Sequence, residues 1–370
     1  MNTDPLRALG LALLGLLLCG ASGLAPAAAP ADAQAPAYDH HVRLTPQNAV
    51  IGNFPAQKAP ILTIDSGQTV RIDGGGGNRW GDKPPQQWLR EQGLQLDAEQ
   101  AQAIDEVAAV LAQTQRQPGF PSGHLLVGPI AVRGAMPGDV LEVQILSVTP
   151  RIPYGVVSMA PGRGGLPEDV REAYAKVVPL DLVRKVGRFE PGIEVPLAPF
   201  NGVMGVLPPA QEGANRASGP PGAFGGNLDC KELVAGSKLL LPVFHPGALF
   251  FTGDSHAAQG DGEVTITAIE TANTTVLRFV LHKGMGLTMP RAETPTHYIA
   301  FGLDPDLDLA MQQAIRQTNA FLRQEKGLDF QRAFALASIG IDFRVTQVVD
   351  GVKGIHAMIP KRLFVDAPPK

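Results

Sequence analysis

The chain has 370 residues, of which only 18% are charged, together with 42 glycines, 33 prolines and a formal net charge of −4 at pH 7. It lacks the basic field that binds nucleic acid, which argues against that partner. A chain this long buries a sizeable core as one large domain or two fused lobes, and its glycine and proline content points to many turns joining short strands.

At the N-terminus, Arg7 precedes the apolar run "ALGLALLGLLLCGASGLA", which is shorter than the ~20 residues a spanning helix needs. "ADA" (Ala31 to Ala33) then offers small residues where a signal peptidase reads. Residues 1–33 are therefore expected to be a signal peptide and Gln34 the mature start, giving a periplasmic or secreted protein with no membrane span after processing. Leu18 before Cys19 is too large for a lipoprotein cleavage site. Processing would leave Cys230 as the only cysteine, with no intrachain disulfide, and it reads as a buried small apolar residue.

The elements follow in order. "GGGG" (Gly74 to Gly77) is followed by no Lys-Ser/Thr pair and reads as a flexible loop rather than a phosphate cradle. Asp97 and Gln100 form a capping box ahead of Ile104, Val107, Ala108 and Leu111 at helical spacing, a helical insertion over about 94–117. The stretch from Asp139 to Val148 alternates as a strand, with Asp139 capping the turn before it. Lys238 to Phe244 is a continuous apolar run, as in a strand buried on both faces. "EVTITAIE" (Glu263 to Glu270) alternates too, and after the turn at Thr271 to Asn273, "TTVLRFVLH" reads as its hairpin partner. A helix opens after Asp306 with Leu307, Ala310, Met311, Ala314, Ile315 and Leu322 on one face and stops at Gly327; a weaker one spans Phe330 to Ala337 before two strand-like segments. The expected fold is mainly β with a few cover helices, a β-sandwich or barrel, forming one catalytic domain over 34–370 with two β lobes as an option.

Chemistry concentrates in "GDSHAAQGDGE", where Asp254, His256, Asp261 and Glu263 fall within ten residues. The i, i+2 spacing puts Asp254 and His256 on one side of an extended chain, and such a group is costly to desolvate unless a cation, a substrate donor or a network compensates. A divalent ion is the economical answer. Asn227 and Asp229 in "GGNLD" and His124 before "LLVGPI" add two further polar clusters at strand ends beside glycine. His245 and His282 lie in apolar contexts and read as structural.

"GHLLVGPIAVRGAMPGDVLEVQI", "PFNGVMGVLPP", "GGNLDCKELVAGSKLLLPVFHPGALFFTGDSHAAQGDGEVTITAIE" and "DFRVTQVVDGVKGIHAMIPKRLF" closely resemble, in order from about His124 to Phe364, the acetamidase/formamidase family. The resemblance implies a predominantly β fold, a homo-oligomer, and hydrolysis of a short-chain linear amide to its carboxylate and ammonia with a bound metal. Chemistry then assigns roles. His124, Asp229, Asp254 and His256 are the ligand pool, for zinc given the mixed His/carboxylate set or calcium given its oxygens. Glu263 is the general base and acid, Asp261 orients a ligating histidine or replaces Glu263, and Asn227 and Gln259 read the amide's C=O and NH2. Two other classes stand beside this one. An exported protein could bind a small amide without turning it over, and a cupin-like metal oxidoreductase would call for a His-x-His pair that the chain lacks.

Overall fold

The computed structural model describes residues 36–120 and 122–365; the expected signal peptide lies outside them. Strands predominate, and among the described residues four α-helices cover them. The largest sheet has nine strands. Its centre is the long Val140–Pro150 strand, paired antiparallel with Asn273–His282 on one side and Lys238–Pro242 on the other. Leu141, Val143 and Ile145 are buried as the alternation requires, facing Leu277, Phe279 and Leu239 in one continuous core.

A second sheet, of six strands, carries the chemistry. Its order runs Gly225–Asn227, Phe200–Gly205, Phe250–His256, Leu125–Val132, Ala49–Ile51, with Leu62–Ile64 parallel to Leu125–Val132. None of the sheets closes into a barrel among the described residues.

The helices start and stop where their caps predict. Asp97 and Gln100 form the capping box of Ala98–Gln113, whose Ile104 and Val107 are fully buried, each stabilising by ~1.5–3 kcal/mol. Asp306 caps Leu307–Lys326, and Gly327 ends that helix at φ 66. Phe330–Gly340 follows, and both helices cover the edge of the large sheet through Ala300, Leu322, Ala333 and Ile359. A short helix, Pro85–Glu91, has no counterpart in the sequence reading. Among the described residues no helix is long and apolar enough to cross a membrane.

Three expectations need correction. Glu263 to Glu270 is not a strand: Glu263 and Ile266 have φ of 43° and 82°, and Val264 is largely exposed. Local alternation loses there to outside contacts, because Thr267 Oγ1 donates to the Ser158 carbonyl and Glu270 makes an isolated bridge to Val156. The Asn273–His282 strand accordingly pairs elsewhere, with Val140–Pro150 and Thr69–Asp73. Lys238–Pro242 is fully buried on one face only, since Lys238 and Leu240 are half-buried. The glycine run is no flexible loop. A Cβ on Gly76 would collide with the Thr271 carbonyl, and one on Gly75 would press at 2.9 Å on Leu44 Cδ2, so the run is glycine because neighbouring chain approaches it closely.

Candidate active site

The site forms where strand ends converge. The pairs Asn201↔Ser255 and Val203↔Gly253 put Gly202 across from Asp254, at the end of the strand that closes with His256. On the other side Gly253 pairs with Leu126, which brings His124, one residue before that strand, to 4.0 Å (Nε2) from Asp254 Oδ2. Asp229 follows the Gly225–Asn227 strand, and its amide donates to the Gly202 carbonyl at 3.2 Å.

Gly202 is what makes room for these groups. A Cβ there would collide with Asp229 Oδ1 and Asp254 Oδ2 and stand 2.8 Å from His256 Cε1. The site is therefore a cradle that any other residue at 202 would fill. Asp229, Asp254 and Glu263 all have positive φ, at 49°, 56° and 43°. Such backbone is tolerated by Asp and strained for Glu, and strain of this kind gathers at functional sites.

Within the cradle His256 is wholly buried, its ring edge-on to Phe200 at 5.0 Å. Its Nε2 lies 3.3 Å from Asp254 Oδ2 and 3.2 Å from Glu270 Oε1, while Nδ1 lies 3.9 Å from Asp229 Oδ1. These distances are short but poorly aligned, and neither ring nitrogen has a well-formed hydrogen bond. Both Asp229 oxygens, Ser255 Oγ and Asn227 Oδ1 are buried and unpartnered as well. Two overlapping ligand groups share His256: Asp229, His256 and Glu263, and Asp254, His256 and Glu270, the ligand atoms of each lying within 4.8 Å of one another.

The electrostatics follow from this crowding. Burial, then the charges of Glu263, Asp350 and Asp254, push the Asp229 carboxyl well up. Burial likewise raises Glu263; His256 opposes that, while Asp350, Asp254 and Glu270 add to it. Burial would raise Asp254 too, but the charges of His256 and His124 outweigh it and hold the group below its ordinary value. For His256, burial favours the neutral ring, yet Glu270 and Asp254 push its pKa up. So many carboxylates around one histidine fit a bound cation, since each orphaned oxygen or ring nitrogen is a ready ligand.

A cavity of about 660 Å³ opens onto the group; His124, Asn227, Asp229, Asp254 and Glu263 line it. His256 stands behind them, in contact with Asp254 and Glu270. Two residues singled out from sequence are placed elsewhere. Gln259 donates its side-chain amide to the Asp229 carbonyl at 2.7 Å, so it fixes the Asp229 loop and does not line the cavity. Asp261 pairs with Lys231 at 3.0 Å, outside the cavity and apart from the histidines, contrary to an orienting role. His245 and His282 are bound to the Pro208 carbonyl and to Glu142, as structural residues would be.

Gly202, Glu270 and Asp350 belong to the cradle or cavity without having been singled out from sequence, as do Arg79 and Arg163 of the cavity wall. Asp350 is raised to about 6, first by burial. The available signals were a glycine inside the strand-like "FNGVMG" and acids inside apolar "TAIET" and "VVDGV".

A second buried group lies next to the first in sequence. Cys230, Glu232 and His356 converge, with His356 Nε2 at 3.2 Å and Cys230 Sγ at 3.5 Å from Glu232 Oε2. Here, however, Arg344 Nη1 reaches Glu232 Oε1 at 3.2 Å and Thr346 Oγ1 meets His356 Nδ1 at 2.8 Å.

A mainly β scaffold presenting an acid–histidine cradle at converging strand ends defines a class of small-molecule site. The particular family follows from comparison: residues 64–217 and 209–366 match the Acetamidase/Formamidase family, and the chain belongs to it. The match begins well before His124 and so includes the glycine run that walls the cavity. A Bacillus halodurans acetamidase structure is 29% identical with a TM-score of 0.70, covering 87% of this chain and 98% of that one. A Thermoanaerobacter tengcongensis structure, described as a predicted acetamidase/formamidase, is 26% identical with a TM-score of 0.72, covering 88% and 97%. The acetamidase of Mycolicibacterium smegmatis is 29% identical over 199 residues, 38% of this chain and 49% of that protein. The chain spans about half the length of the curated relatives it matches.

Proposed function

We propose that this chain is an exported amide hydrolase that cleaves a short-chain linear amide to its carboxylate and ammonia with the help of a divalent metal. The observation that carries this reading is the set of unpartnered buried donors, both His256 nitrogens and both Asp229 oxygens, gathered beside a cavity around a glycine that leaves them space.

Asp229, Asp254 and His256 would hold the ion, with His124 beside Asp254 completing the set. Their mixed nitrogen and oxygen donors fit zinc, with calcium as the other outcome of a metal assay. Such an ion supplies Lewis acidity toward the amide carbonyl and makes water a stronger nucleophile near neutral pH. Glu263, buried at the inner end of the cavity, takes a proton from the attacking water and returns it to the departing nitrogen. Asn227 lines the cavity from a buried strand, and its side-chain amide would orient the substrate's C=O and NH2. Glu270 and Asp254 keep the imidazole of His256 in place from one side.

The names borne by the family and its relatives support amide hydrolysis, and the N-terminal sequence pattern supports export and a homo-oligomer outside the cytoplasm is part of the same reading. Ammonia release from a panel of linear amides tests the activity, and a protein that binds those amides without releasing ammonia would be a binding protein instead. N-terminal sequencing of the native protein tests export, with an intact Met1 in the soluble cytoplasmic fraction as the contrary result.

A further inference from the structure

Formamide and acetamide are far smaller than the cavity. At about 660 Å³ it falls within the ~300–1,000 Å³ typical of drug-sized ligands. One wall is the run Gly75, Gly76 and Gly77, which places no side chain in the space. A polarity axis runs along it. The inner end holds buried carboxylates such as Asp229 and Glu263, while exposed Arg79 and Arg163 stand at the mouth.

Neither arginine pairs with a carboxylate among the described residues, so they are not simply neutralising the acids below them. Arg79 is anchored: its Nη2 donates to Ser158 Oγ at 2.7 Å, and Ser158 is buried. That bond uses one of five guanidinium N–H donors. Arg163 lies on a turn fastened to the Glu263 loop, where the Gly165 amide donates to the Val264 carbonyl at 2.8 Å. Both arginines also line a smaller adjoining cavity of about 290 Å³, so the two spaces share Arg79, Arg163 and Ile266 as walls.

We infer that the substrate is an amide carrying a carboxylate at its far end, an amidic acid whose anion sits between Arg79 and Arg163 while its amide reaches the acid–histidine cradle. A guanidinium fork matches a carboxylate in shape and charge, and a cationic mouth over an acidic floor sets which end of such a molecule enters first. The inference rests on the hydrolase reading above. The reaction is balanced by water alone: the amide C–N bond breaks, a C–O bond forms from water, one water proton passes through Glu263 to the departing nitrogen, and the other leaves the new carboxyl for the ammonia, giving a dicarboxylate and ammonium.

Succinamate and glutaramate, set against the neutral butanamide and pentanamide, test it with parent protein, Arg79→Gln, Arg163→Gln and the double variant. The expected result is a kcat/KM at least tenfold higher for the anionic amides in the parent, with that preference falling at least tenfold in the double variant and weakening as salt rises. Preference for the neutral amides, or an anionic preference that survives in the double variant, would overturn it. If no amide yields ammonia, the hydrolase reading fails and the anion site is judged by calorimetry. Succinamate binding to the parent and at least tenfold weaker to the double variant sustains it, while absent or equal binding overturns it.

Discussion

His256 and His356 are both wholly buried, and each has carboxylate and further ligand-type side chains around it. The groups differ in how their polar atoms are satisfied. Around His356, Glu232 accepts from Arg344 and Cys230 and Thr346 meets Nδ1, so only the ring's Nε2, 3.2 Å from Glu232 Oε2, lacks a well-formed hydrogen bond. Burial alone would raise Glu232, yet the neighbouring His356 and Lys231 hold its carboxyl down at about 2. Around His256 more is left over: Asp254 is held down, but Asp229 and Glu263 are pushed up, and both ring nitrogens and both Asp229 oxygens lack partners beside a cavity. Composition marks both places as ligand-like; the larger unspent hydrogen-bonding capacity around His256, and the cavity beside it, mark that one as a site.

The largest expected effect comes from removing the histidine that both ligand groups share. His256→Ala should lose metal and lower ammonia release by ~10³-fold or more, the upper end for deleting one electrostatic stabiliser. Glu263→Gln keeps shape and loses the base, so kcat should fall by ~10²–10⁴ with metal content nearly intact. If that variant works at the parent rate, Glu263 is not the base. Gly202→Ala puts a methyl group into the cradle, and a displacement of this kind should cost roughly a hundredfold in kcat while the unfolding midpoint changes little. An active Gly202→Ala protein would mean that the cradle is not where chemistry happens.

The smallest effect is expected in the closed group, and on stability rather than activity. The folded carboxyl of Glu232 titrates near 2 and an unfolded one near 4.5. Its contribution, at most about 3 kcal/mol, is then fully present above pH 4.5 and is lost as pH falls toward 2. Glu232→Gln should unfold more easily than the parent at pH 6, and the gap should narrow by pH 3, as urea titrations would measure. A gap that widens in acid would reverse the sign of the argument.

Legibility from sequence divides along the same line. Caps and periodicity are local, so Asp97, Asp306 and Gly327 marked helix ends that the structure keeps. The residues that the strand ends bring together were largely legible too, because His124, Asn227, Asp229, Asp254 and His256 each stand beside a glycine or a strand terminus. What failed was decided at long range. The alternation of Glu263 to Glu270 gave way to contacts with Val156 and Ser158, more than a hundred residues away in sequence. Asp261 looked equivalent to Glu263 at two residues' distance, but the turn sends it to Lys231. Gly202 could not be weighted at all, because its importance lies in three side chains from other segments that need the space above it.

Elemental analysis of the parent, His256→Ala and His356→Ala proteins after dialysis against a weak chelator decides whether the His256 cradle holds a metal. Roughly one divalent ion per chain is expected in the parent and in His356→Ala, and none in His256→Ala. A fully active parent without metal, or a metal kept by His256→Ala and lost by His356→Ala, would contradict the account.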